Sequence, residues 1–103
     1  MRKTRSLAQI LRALMDDPTS RHWGYELSKN AGVRSGVLYP ILHRMLEDGW
    51  LTDGWEDNSE THGRRPPRRY YQLTPAGRSA IFNLLAEMRV DARFGEVLGG
   101  MAT

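Results

Sequence analysis

The chain has no cysteine, so it has neither a disulfide framework nor thiolate chemistry. Its histidines, His22, His43 and His62, fall in three separate stretches with no spacing that defines a zinc site. No glycine-rich phosphate loop follows a strand and no nucleophile sits beside a base. Glu47-Asp48 reads as the acidic end of a helix rather than a catalytic pair. No apolar run approaches the roughly 18–20 residues that span a bilayer, and no secretory apolar segment follows the basic start Met1–Arg5. Internal repeats are missing too. These absences point away from an enzyme, a membrane protein and a secreted scaffold. The expectation is a non-enzymatic cytoplasmic domain that needs no cofactor and no metal.

A length of 103 residues holds one domain with a small core. Its 40% hydrophobic and 26% charged residues lie in the globular range. The net charge of +3 is modest, but its distribution is uneven. Acids gather at Asp16-Asp17, Glu47-Asp48 and from Asp53 to Glu60, bases at the N-terminus and from Arg64 to Arg69. Segregated basic patches raise the local potential toward phosphates even when total charge is small.

Ser6-Leu7-Ala8-Gln9 has the form of a capping box, and Leu7, Ile10, Leu11 and Leu14 repeat at helical spacing, predicting a helix over Ser6–Met15. Pro18 stops it. A second helix is expected over Gly24–Asn30, ended by Gly32. Ser35 can cap a third that runs to Asp48 and closes at Gly49. Val37, Leu38, Ile41, Leu42, Met45 and Leu46 form its apolar stripe, with Pro40 in its first turns. Strands follow over Trp50–Trp55 and Arg68–Leu73, joined by a long polar connection, Glu56–Pro67. Thr74-Pro75 starts a last helix carrying Ile81, Leu84, Leu85 and Met88 and reaching toward Val97 or Leu98. Gly99–Thr103 is expected to fray.

Four arginines lie within the six positions Arg64–Arg69, beside Pro66 and Pro67. Arginines on a loop bounded by glycine and proline have no helical partners, and a basic loop held up by a hairpin suits a polyanion. Beside it, the third helix opens with small, polar and aromatic residues. The order helix, helix, helix, strand, wing, strand, helix is that of a winged helix-turn-helix, mainly α with a small β-hairpin. The third helix fits a major groove, with Ser35, Gly36, Tyr39, Pro40, His43 and Arg44 as the exposed candidates. Tyr39 reads either as a DNA contact or as a cover for the packing of the helix–turn. In the wing, Arg64, Arg65 and Arg68 would meet phosphates or a narrow minor groove. Arg69, alternating with Tyr70, can instead pair with the wing acids.

Four blocks resemble the PadR family of transcriptional regulators: Gly24-Tyr25-Glu26-Leu27, Gly36–Leu42, Met45–Leu51, and Gly63-Arg64 through Gly77. Their order and spacing agree with the family. The resemblance implies a homodimeric winged-helix repressor whose last helix carries dimer contacts. Two departures are an added acidic stretch, Asp57–Glu60, and an end after one last helix, which resembles the family's compact branch. Some compact members stack flat drugs on a tryptophan of the last helix; here Trp23, Trp50 and Trp55 lie elsewhere.

The expectation is therefore a winged-helix domain over residues 1–73 and a C-terminal dimerisation helix over 74–103 packed on it. Leu7, Leu11, Ile81, Leu84, Leu85 and Met88 are the candidate dimer residues, because a three-helix core leaves apolar surface on a long last helix. Double-stranded DNA and a second copy are the expected partners, without a membrane. Two alternatives stay open: an interaction module that docks a protein through the wing, and a regulator holding a small-molecule effector between first and last helices at the dimer interface.

Overall fold

The computed structural model describes residues 1–99. The first helix, α1 (Arg5–Met15), starts one residue earlier than its capping-box pattern suggests. Thr4, not Ser6, is its cap: the extended Thr4 accepts a hydrogen bond at its hydroxyl from Leu7 N at 3.1 Å. Leu7, Ala8, Ile10, Leu11, Ala13 and Leu14 are all buried, because α1 is covered from several sides by the rest of the chain. Helix α2 (Gly24–Ala31) ends on Gly32 in the left-handed conformation, φ 68°.

Helix α3 (Ser35–Glu47) buries Leu38, Leu42 and Met45. Its cap is Arg34, whose side chain makes no capping bond, and Ser35 is the first helical residue rather than the cap. Pro40 accordingly lies beyond the first turn. Lacking an N–H, it leaves the Gly36 carbonyl without its usual donor four residues on.

The sheet has three strands rather than two. β1 (His22–Trp23) is an addition that the sequence pattern does not announce; β2 is Leu51–Trp55 and β3 is Arg69–Leu73. The order is β1-β3-β2, antiparallel throughout. Leu51 lies opposite Leu73 and Asp53 opposite Tyr71, while His22 pairs with Tyr71 from the other edge. Tyr71 and Leu73 turn inward.

Helix α5 (Pro75–Arg89) is capped by Thr74, which accepts from Gly77 N at 2.8 Å and donates to Gly49 O at 2.7 Å. That one hydroxyl fastens the start of α5 to the end of α3. The continuous helix expected to Val97 or Leu98 is not formed. α5 stops at Arg89, and the Asp91 carboxylate accepts from Arg93 N at 2.9 Å to start a 3-10 turn, Ala92–Phe94. Phe94 is thereby turned into the core, and a short helix, Gly95–Leu98, folds back over α1. Of the tail Gly99–Thr103 expected to fray, residues 100–103 lie outside the described residues.

Candidate nucleic-acid interface

Spacing along α3 puts Ser35, Gly36, Tyr39, Pro40, His43 and Arg44 on one exposed face, opposite Leu38, Leu42 and Met45. The candidate reading residues therefore do share a surface. Arg44 is tied to Asp48, with Nε 3.2 Å from the carboxylate, and His43 lies 3.8 Å from Glu47. Both are exposed i,i+4 pairs, worth a few tenths of a kcal/mol and easily exchanged for another anion. Tyr39 is both exposed and packed. Its side chain is 44% exposed, yet its ring lies over Gly24, where a Cβ would collide with the phenol oxygen. Glycine at the start of α2 is what allows the ring to cross there.

The wing is more ordered than a flexible basic loop. Asp57 accepts from Glu60 N at 2.9 Å and caps a single-turn helix, α4 (Asn58–Thr61). His62 and Gly63 then take left-handed conformations to reverse the chain. At the root lies Glu56, a carboxylate only 7% exposed. It accepts from Arg65 at 2.5 and 2.9 Å and from Arg68 N at 2.9 Å, with Arg68 Nε at 3.4 Å. The Arg65 hydrogen bonds, helped by Arg68, hold its pKa down at about 2. Arg65 is thus a brace inside the wing. Arg65, expected among the phosphate contacts, here makes a bidentate contact with an almost buried carboxylate, which commits most of its donors.

Arg69 pairs with Asp53 across the hairpin, as its alternation with Tyr70 suggests. Arg64 is exposed and has no acidic partner among the described residues. Arg68 keeps its terminal nitrogens free of carboxylates there and lies 5.0 Å from the Trp23 ring centre. A further cation that the sequence pattern does not single out, Arg21, pairs with Glu60 at 2.8 Å and covers Tyr70 at 4.2 Å. Tyr70 in turn meets Trp23 edge-on at 5.6 Å. This chain of contacts anchors the wing to β1. Between wing root, α2 and α3 opens a notch of about 390 Å³, lined mainly by Trp23, Tyr25, Tyr39, Arg68, Arg69 and Tyr71.

The candidate dimer residues lie mostly inside a single chain. Leu7, Leu11, Ile81, Leu85 and Met88 are at most 4% exposed and form the core with one another. They have no surface to offer a second copy in this conformation; α1 and α5 have satisfied each other. Leu84 is only partly buried. The exposed apolar groups of α5 are Phe82, 64% exposed, and Val90 at its end, 71% exposed. Phe82 borders a shallow groove with Met15, Arg78, Ser79 and Asn83.

No cluster of three or more metal-ligating side chains occurs among the described residues, and none of their helices is long and apolar enough to cross a membrane. The family model of the transcriptional regulator PadR-like family matches residues 10–83. The chain belongs to the PadR-like family. It is similar to the transcriptional regulator Rv3488 of Mycobacterium tuberculosis (strain ATCC 25618 / H37Rv), with 39% identity over 90 residues, 87% of this chain and 71% of that protein. Three solved structures share the fold. A PadR family regulator from Eggerthella lenta DSM 2243 aligns with TM-score 0.63 and 24% identity, over 82% of this chain and 74% of its own. The smu.1704 protein of Streptococcus mutans UA159 aligns with TM-score 0.67 and 23% identity, over 97% and 94%. A PadR family transcription regulator of Clostridium difficile R20291 gives TM-score 0.65 and 20% identity, over 90% and 98%. The PadR-like chain is thus a winged-helix transcriptional regulator and not an enzyme.

Proposed function

We propose that this PadR-like regulator binds double-stranded DNA sequence-specifically as a homodimer and represses transcription from a pseudo-palindromic operator. The observation that carries the reading is the exposed face of α3. Ser35, Gly36, Tyr39, Pro40, His43 and Arg44 stand clear of the core on a helix of 13 residues whose opposite face is buried. A helix so presented fits a major groove about 12 Å wide. The Gly36 carbonyl, lacking a donor from Pro40, adds an acceptor at the same surface. Arg64 then meets the flanking phosphates, while Arg65 and Glu56 hold the wing in place.

Repression follows where the operator overlaps a promoter, and the site of action is the cytoplasm, where the DNA lies. The dimer contact belongs to the outer surface of α5, with Phe82 and Val90 as its apolar anchors and Leu84 beside them. This replaces the interior leucines as the surface that a second copy would cover, and the segment from residue 74 onward keeps its role as the dimer element.

Selection of bound fragments from a random DNA pool by the purified protein, followed by sequencing, tests the reading. Enrichment of a two-fold-related motif is the expected result. No enrichment, together with an affinity indifferent to salt, would favour a protein-docking wing instead, because phosphate contacts make log affinity fall linearly with log salt.

A further inference from the structure

Tyr71 is 3% exposed and lines the notch between α2, α3 and the wing root. Its hydroxyl has no hydrogen-bond partner among the described residues, yet no fully enclosed polar side-chain atom is left unsatisfied there. The oxygen must therefore reach the surface of the notch. A phenol held by its ring in the core, with its oxygen at an open concavity, is free to donate to an acceptor that enters the notch. Burial pushes its pKa up, so the hydroxyl stays protonated and able to donate at neutral pH.

Three further features give the missing acceptor its character. The first turn of α2 has no side-chain cap, and its Gly24 and Tyr25 line the notch at the positive end of the helix. Arg68 stands at the rim, with only its Nε directed at Glu56, at 3.4 Å. Apart from Arg69, which is paired with Asp53, the rest of the lining is mainly aromatic, with Trp23 in the wall and Tyr25 75% exposed beside it. Positive charge at the rim with a mostly apolar wall suits a ligand that is part anion and part hydrocarbon. The notch lies between the exposed face of α3 and the wing, so DNA docked on both would run its backbone past it.

We propose that this notch seats one deoxyribose-phosphate unit of the DNA backbone, with the Tyr71 hydroxyl and the Arg68 guanidinium on the phosphate and the Trp23 and Tyr25 rings against the sugar. The inference rests on the DNA-binding reading and extends it. Such a seat reads no bases; it sets the register of α3 in the groove.

The test compares the full-length wild type with Tyr71→Phe and Arg68→Gln by fluorescence anisotropy at several salt concentrations. Each is measured on a selected operator and on an unrelated duplex, with thermal melting as the folding control. Tyr71→Phe keeps the ring, and should weaken affinity for both duplexes about tenfold. Its salt slope should match wild type, because a neutral hydroxyl displaces no counterions. Arg68→Gln should weaken both and flatten the slope by about 0.9 per seat occupied. Single neutral methylphosphonate links scanned along the operator supply a second readout. One position in each half-site should weaken the wild type, and weaken Arg68→Gln clearly less. A folded Tyr71→Phe that binds like wild type, a weakening confined to the operator, or no such backbone position overturns the seat while the DNA-binding reading stands. A wild type that binds no DNA overturns both.

Discussion

Glu56 would pass in the sequence for one more surface acid in a polar stretch. In the fold it is an almost buried anion holding two arginines, and its removal should have a counterintuitive effect. Glu56→Gln deletes a negative charge close to the proposed DNA face, which by Coulomb's law alone would strengthen binding. Because the carboxylate positions the wing, we expect DNA affinity to fall several-fold instead; a rise would show that the wing needs no brace. Arg65→Ala should resemble Glu56→Gln, whereas Arg64→Ala should leave the wing intact and flatten the salt slope by about 0.9 for each phosphate it ceases to neutralise. The acid response follows from the same site. Glu56 titrates at about 2 when folded against an ordinary 4.5, so its contribution is fully present above pH 4.5 and disappears as pH falls toward 2. Loosening of the wing in that window, read from Trp55 fluorescence, should be reduced in Glu56→Gln, with Asp57, whose pKa is also lowered by Ser59 and the Glu60 N–H, left to contribute the remainder. Asp91, held at about 2 by Arg93, titrates over a similar range at the end of α5, so the mutant comparison is what assigns the change to the wing.

The helices and the hairpin were legible in the sequence because their apolar periods are long enough to count. β1 was not: two residues carry no period, and His22–Trp23 becomes a strand only by pairing with β3. α4 did have a local signal, Asp57 three residues before Glu60, hidden within a wing expected to be irregular. The break after Arg89 was illegible for a different reason. Its cause is the capture of Phe94 by a core that the local pattern does not describe. Glycine supplies a sharper test of how the elements dock. A Cβ on Gly77 would collide with the backbone carbonyl of Trp50, which a side-chain adjustment cannot relieve. Gly77→Ala should cost about 1–3 kcal/mol, lowering Tm by roughly 4–8 °C per kcal/mol in a domain of this size. An unchanged melting curve would mean that α5 does not sit against the hairpin in this way. On the same helix, Phe82→Glu with Val90→Glu should yield folded monomers by light scattering. Charges at Leu85 should unfold the chain instead, because that side chain is in the core.

The described chain is elongated, 52 × 25 × 22 Å, and its candidate DNA face includes both the long wing and α3. In the proposed dimer, one copy would cover about one half-site. Two copies related by a two-fold axis would place their α3 helices about 34–36 Å apart, giving half-sites roughly 10 base pairs apart centre to centre. Inserting five base pairs between the half-sites should abolish cooperative binding, and ten should restore much of it. Equal binding at every spacing would show that the copies act independently. The candidate DNA residues were legible as a set, since helical spacing alone puts the α3 group on one face. Their working state was not, because ion pairs such as Arg65 with Glu56 close across loops whose path the sequence does not reveal.

That internal neutralisation of the wing has a kinetic consequence. Of its arginines, Arg65 is committed to Glu56, Arg69 to Asp53, and only Arg64 is wholly without an acidic partner among the described residues. A wing with all its cations free would cling to any duplex and dissociate slowly from wrong sequences. If the chain binds DNA as proposed, this wing should hold random DNA weakly, so each mistaken encounter would be brief and the molecule would sample more of the chromosome in a given time. Where a genome offers some 10⁶–10⁹ competing sites, rapid escape from the wrong ones counts as much as affinity for the right one.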